Sequence, residues 1–196
     1  MVSRPDIVFA VNTASKFLNT HTLTHWRAVK KIFAYLVDTV NVGIEYRSGG
    51  SDSKLVGFSD ADYAGDLEAR RSTTGYVYSL ANGSVTWSSR RQKMVTLSTT
   101  KAEYVAASSA AKEAVWLRHL LCEIGHRCEN ATTLIVDNQS AIKLAKNPEF
   151  HERTKHIDVR CHHIREMIEN GEIKVVYIPS EMQKADILTT QQTQKD

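Results

Sequence analysis

The spacing of apolar residues changes character near Leu55. Before it, Ile7, Ala10, Val11, Ala14 and Phe17 recur every three or four positions after Pro5, which predicts a helix. HWRAVKKIFAYLV predicts a second helix, with Trp26, Val29, Ile32 and Phe33 on one side. VGIEYR then reads as a strand. The turn-rich RSGGSDSK that follows is the best boundary in the chain. After it, LVGFSDADY, GYVYSL and VTWSS read as strands, the last two joined by a hairpin at Asn82-Gly83. A long helix follows over about residues 101–124, which Gly125 can end. TLIVD is a short apolar strand. SAIKLAKN is a helix broken by Pro148, and HIDVRCHHIREMIENG is another, closed by Gly171. IKVVYIP is a fifth strand, EMQKADILTT a last helix, and QQTQKD a fraying tail. Three antiparallel strands followed by alternating helices and strands imply an α/β fold with a mixed sheet covered by helices. The expected division is a helical tail at 1–48, a domain at 54–190 and a polar tail at 191–196.

Four carboxylates stand at the ends of these elements: Asp60, Glu103, Asp137 and Asp186. With a period of two, Val56, Phe58, Asp60 and Asp62 share a strand face, so Asp60 and Asp62 reach its far end together. Steps of three and four from Glu103 give Ala106, Ala107, Ala110, Ala114, Leu117 and Leu121, a small apolar stripe that must pack on the sheet. Glu103 therefore begins the buried face. Asp137 ends an apolar strand, where sites gather in α/β sheets. Each acid also has an ordinary reading. Thr100-Lys-Ala-Glu103 and Ser180-Glu-Met-Gln183 fit capping boxes, and Asp137 suits an N-cap. Asp186 could be a solvated helix residue. Collecting four acids in one place opposes folding through repulsion and desolvation. Convergence would therefore point to a divalent cation and to phosphodiester cleavage.

Bulk properties exclude little more. A chain of 196 residues fits one domain with an appendage, and a net charge of +3 permits a polyanionic partner without requiring one. Cys122, Cys128 and Cys161 are odd in number and form no CxxC pair, which favours reduced thiols in an intracellular setting over a disulfide scaffold. No apolar run reaches the roughly 18 residues of a membrane span. His151, His156, His162 and His163 cluster without the cysteine spacing of a zinc site and read as surface or packing residues. Arg70, Arg71, Arg90, Arg91 and Lys93 flank the predicted hairpin and could meet phosphate, or could be solvated charges. Asn138 could contact nucleic acid or cap the next helix.

At these residues the chain resembles the ribonuclease H domain of copia-type (Ty1/copia) retrotransposon Pol polyproteins. The stretches that carry the resemblance are GFSDADYAGD, RRSTTGYVYSL, WSSRRQKMVTLSTTKAEYVAAS, VDNQSAIKLAKNPEFHERTKHIDVRCHHIRE and GEIKVVYIPSEMQKADILT, over about residues 55–189. The opening helices resemble the tail of the preceding reverse transcriptase. The resemblance implies a ribonuclease H-like fold with a five-stranded mixed sheet. It also implies hydrolysis of the RNA strand of RNA–DNA hybrids by two-metal-ion catalysis, with Asp60, Glu103, Asp137 and Asp186 holding two Mg²⁺, or Mn²⁺ in their place. Implied partners are the hybrid and the reverse transcriptase domain of the same polyprotein, with no membrane. The implied setting is intracellular, in a cytoplasmic virus-like particle or the nucleus. The alternative reading is a decayed or co-opted domain that binds nucleic acid without cutting it. The segment from Ser180 to Lys184 lacks the histidine that many cellular ribonucleases H carry there, so slow product release is expected. ADILT is followed by an unfamiliar tail, and a short last helix holding Asp186 loosely is expected.

Overall fold

The computed structural model describes residues 2–47, 54–66, 68–126, 129–146 and 158–190. The expected break at RSGGSDSK falls almost wholly outside them, as do Pro148, His151, His156 and the polar tail. Helices α1 (Val8–Ser15) and α2 (Leu23–Asp38) precede strands β1 (Val56–Ala61), β2 (Thr73–Leu80) and β3 (Gly83–Arg91). Helix α3 (Thr99–Glu123), β4 (Thr132–Val136), α4 (Gln139–Lys146), α5 (Asp158–Glu169) and β5 (Ile173–Tyr177) follow. The strands form one mixed sheet in the order β3-β2-β1-β4-β5. The first three are antiparallel, and β1, β4 and β5 are parallel. This is the fold class that the sequence led us to expect.

Two apolar layers hold the sheet. On one face the alanine stripe of α3 is buried, with Ala106, Ala110 and Ala114 fully enclosed beside Leu134 and Val136. Small side chains let the helix approach closely. Tyr78 crosses the sheet to reach it, and its hydroxyl donates to the Ala110 carbonyl at 2.7 Å. The residue beneath must be Gly57, because a Cβ there would lie 2.3 Å from the Tyr78 ring. On the other face Phe58 and Val77 pack against Val8 of α1 and against Ala185 and Leu188 from the C-terminal segment. Asn12 of α1 donates to the Ser89 carbonyl at 2.5 Å. Helix α1 thus docks on the sheet, and α2 packs on α1.

Four expectations need correction. Residues 42–47 form no strand. Tyr46 lays its ring over Gly83 and donates to the Ser84 carbonyl, so the segment caps the hairpin end and does not extend the sheet. The hairpin itself turns on Ala81 and Asn82, both at positive φ, with Gly83 already paired to Leu80. Gly83 is spent on the Tyr46 ring, whose Cδ1 would meet a Cβ at 2.2 Å, and so the turn moves back one residue. On α2, Val29 and Ile32 are half-buried, but Trp26 and Phe33 are 53% and 62% exposed. Finally, EMQKADILTT is no α-helix. It forms two 3₁₀ turns, Ser180–Met182 and Lys184–Leu188, separated by Gln183 in extended conformation (φ −74°, ψ 107°). Gln183 is buried, its amide donating to the Ser59 carbonyl at 3.0 Å and accepting from the Ala185 N–H. A continuous helix would give up that anchor.

Candidate metal centre

The site grows from the register of two strands. β1 and β4 run parallel with Ser59 beside Val136, so Asp60 and Asp137 emerge side by side at their carboxyl ends. Asp186 arrives from the second 3₁₀ turn. One carboxylate oxygen from each of Asp60, Asp137 and Asp186 lies within 4.8 Å of the others. Glu103 enters from α3. Its Oε1 accepts from the Ala61 N–H at 3.3 Å, and the charges of Asp60 and Asp137 both act on it. Three of the four acids that the sequence singles out therefore meet at one end of the sheet, and Glu103 lies alongside within reach of the charges of Asp60 and Asp137. Asp62 takes another path: its carboxylate accepts from the Thr73 N–H and braces the β1–β2 connection.

The ordinary readings of the acids fail on their hydrogen bonds. Ser98, not Thr100, caps α3, accepting from the Lys101 N–H at 3.3 Å. Asn138, not Asp137, caps α4, with Oδ1 accepting from the Ala141 N–H at 2.9 Å. Ser180 makes no cap bond. Its hydroxyl donates to Asp137 Oδ2 at 2.7 Å. Asp186 is not loosely held either. Its carbonyl accepts from the Thr189 and Thr190 N–H groups, and the flanking Ala185 and Leu188 are fully buried. The turn sits over Gly75, where a Cβ would meet Thr189 Cγ2 at 2.6 Å and Leu188 Cβ at 2.9 Å. Sequence reasoning missed Thr189, Ser180 and Gln183. Their signal is only that hydroxyl and amide residues flank ADIL, which periodicity cannot rank.

Electrostatics mark the cluster as strained without a counter-charge. Burial pushes Asp60 up to about 6, and Asp186 and Asp137 add to this while the Thr189 hydroxyl pulls the other way. Burial, then the charges of Asp60 and Asp137, push Glu103 up to about 9. Asp186 is raised by burial first and Asp137 second. Glu103 Oε2 and Asp137 Oδ1 are buried with no hydrogen-bond partner. Two orphaned carboxylate oxygens in an all-oxygen donor set fit a hard divalent cation such as Mg²⁺ or Mn²⁺.

The basic candidates lie at the same end of the sheet, two strands across. Asp60 pairs with Gly75 and Gly75 with Ser89, while Arg90 and Arg91 are the next residues of β3. At the ordinary strand spacing that is a lateral distance of about 10 Å. Arg70, Arg90, Arg91 and Lys93 are exposed and Arg71 is half-exposed. Arg91 also pairs with Asp66 at 2.6 Å. His163 lies 3.7 Å from Glu166 on α5, apart from the acid group. Among the described residues, no helix is long and apolar enough to cross a membrane.

No family model matches the chain. It is 47% identical over 188 residues to the retrovirus-related Pol polyprotein from transposon TNT 1-94 of Nicotiana tabacum. That similarity takes in 95% of this chain but only 14% of the polyprotein. It is 49% identical over 117 residues to secreted RxLR effector protein 161 of Plasmopara viticola, covering 60% of this chain and 82% of that protein. Among solved structures, a ribonuclease H1 isolated from compost aligns with 70% of this chain at 21% identity and a TM-score of 0.49.

Proposed function

We infer that this chain, which belongs to the family of retrovirus-related Pol polyproteins of transposons, hydrolyses the RNA strand of RNA–DNA hybrids. The observation that carries the reading is the meeting of Asp60, Asp137 and Asp186, with Glu103 alongside and two buried oxygens left unpaired. Those four residues would hold the divalent ions. Bound there, a pair of such ions supplies an activated water and neutralises charge on the scissile phosphate. The reaction adds water at phosphorus and breaks the P–O3′ bond, leaving a 5′-phosphate and a 3′-hydroxyl. The chain's own contribution is geometric and electrostatic. β1 and β4 fix Asp60 and Asp137 on adjacent rungs, α3 brings Glu103 up beneath them, and the second 3₁₀ turn closes the group with Asp186. Burial and the neighbouring acids push Glu103 up to about 9, so a divalent ion held there would favour its ionised form. Arg70, Arg71, Arg90, Arg91 and Lys93 would meet backbone phosphates, with 2′-hydroxyls identifying the RNA strand. Asn138 is left with its amide N–H groups for such a contact, since its oxygen caps α4. Residues 1–48 would act as a helical appendage to a ribonuclease H-like domain at 54–190.

The test is cleavage of a labelled RNA–DNA hybrid in Mg²⁺ beside an Asp137→Asn control. Cleavage lost in the control is the expected result. No cleavage by the unaltered chain sinks the reading, and cleavage indifferent to Asp137→Asn sinks the site. A second reading rests on the similarity to the Plasmopara effector, most of whose length aligns here. On that reading the segment is a co-opted module that binds nucleic acid without cutting it. Hybrid binding with no cleavage in Mg²⁺ or Mn²⁺ would select it.

A further inference from the structure

Two hydroxyls of the C-terminal segment reach two different acids. Thr189 donates to Asp60 Oδ2, and Ser180 donates to Asp137 Oδ2 at 2.7 Å. Both come from the same stretch that carries Asp186. We propose that Thr189 and Ser180 are positioning residues for the metal centre: each ties down one oxygen of an acid and thereby turns the other toward the cation.

Three observations carry this. Asp137 Oδ1, the oxygen that Ser180 does not touch, is one of the two buried oxygens left without a partner. Thr189 is 1% exposed, and its methyl is lodged against Gly75, so its hydroxyl cannot swing away to water. Its alternative acceptors are weaker. The Asp186 carbonyl is 3.2 Å away and the Thr190 hydroxyl 3.4 Å, and a carboxylate takes a hydroxyl proton more strongly than either. Partners of this kind fix ligand orientation, and their loss typically weakens metal binding about 10- to 100-fold.

The inference rests on the proposed metal site, and the experiment separates the two. Mn²⁺ is titrated calorimetrically into the full chain and into Thr189→Val, Thr189→Ser and Ser180→Ala. Thr189→Val keeps the shape and loses the hydroxyl, while Thr189→Ser keeps the hydroxyl and loses the methyl. The expected result is a Kd raised about 10-fold or more in Thr189→Val and Ser180→Ala, and close to the unaltered chain in Thr189→Ser. Saturating Mn²⁺ should restore hybrid cleavage by Thr189→Val, since the residue touches no substrate. An unchanged Kd in Thr189→Val overturns the assignment of Thr189. Equal weakening in Thr189→Ser also overturns it, because packing on Gly75 would then be the cause. If Thr189→Val does not fold, the exposed Ser180→Ala decides, and an unchanged Kd there overturns the proposal. No Mn²⁺ binding by the unaltered chain overturns the metal site and this inference together. Binding by the unaltered chain that the variants leave untouched overturns this inference alone.

Discussion

At the residue scale, Asp60, Glu103 and Asp137 were legible because each stands near an end of an element whose period could be read, whereas the segment that carries Asp186 is two 3₁₀ turns and not the helix its pattern suggests. Glu103 was placed by the alanines after it, and Asp60 by Val56 and Phe58 before it. What the sequence could not display is which oxygen of each acid is engaged. That depends on Thr189 and Ser180, which touch residues up to 129 positions away. The raised acids give a prediction with a definite sign. A carboxyl whose folded pKa exceeds its ordinary value stabilises the fold below that ordinary value and loses this as pH rises through the folded one. For Asp60 the window runs from 3.8 to about 6, and for Glu103 from 4.5 to about 9. Thermal stability without metal should therefore fall as pH rises from about 3.8 to 9, with Asp60 accounting for about 3 kcal/mol of it between 3.8 and about 6. The lowered acids Asp6 and Asp66 act on the other side, losing their contribution only as pH drops below 3.8. Added Mg²⁺ should flatten the profile. Melting curves in EDTA that improve toward pH 9 would contradict the account. Met182 is exposed beside the acids in sequence. Met182→His should raise steady-state turnover without changing a single-turnover rate, and slower turnover would refute the expected lack of a proton-transfer group.

At the scale of elements, strands and helices were recovered where one face is buried and the period is clean. The exceptions share a cause. Residues 42–47 have apolar residues at strand-like spacing, but they spend Tyr46 on Gly83 and make no ladder. The last segment has helical composition, but Gln183 gains more from the Ser59 carbonyl than from a continuous helix. Tertiary contacts overrode local pattern in both. The close approaches at glycine make this testable. Gly75→Ala should push the second 3₁₀ turn off β2, costing about 1–3 kcal/mol and most of the metal affinity. Urea unfolding with Mn²⁺ titration reads both, and unchanged Mn²⁺ affinity would show that Asp186 does not depend on this seat. Tyr78→Phe should cost about 1 kcal/mol by removing the buried hydroxyl's bond to the Ala110 carbonyl, which keeps its helical partner within α3. Chemical denaturation measures it, and no loss would mean water replaces the hydroxyl.

For the whole molecule, the arrangement puts a negative centre and a positive border on one rim of the sheet. Neutralising Arg90 or Lys93 should weaken hybrid binding evenly across sequences and reduce the salt slope by about one each, with the cleavage rate at saturation unchanged. A change in rate at saturation would move these residues into the centre itself. Helix α2 leaves Trp26, Phe33 and Val37 open to solvent. The mixed sheet was legible from the order of elements. The docking of α1 on its second face was not, because the seat of Val8 against Phe58 and of Asn12 on the Ser89 carbonyl leaves no periodic signal.

The seat of the C-terminal segment also bears on when the protein becomes competent during its synthesis. Asp60 and Thr189 are 129 positions apart, and closing a loop of that length costs about 4 kcal/mol in chain entropy before any contact repays it. β1, β2, β3 and α3 can assemble while the ribosome is still at work. The 180–190 stretch emerges later and must find a sheet end already crowded with like charge. Divalent cation in the surrounding solution would then favour this docking step, coupling closure of the site to the ion that the proposed centre would hold.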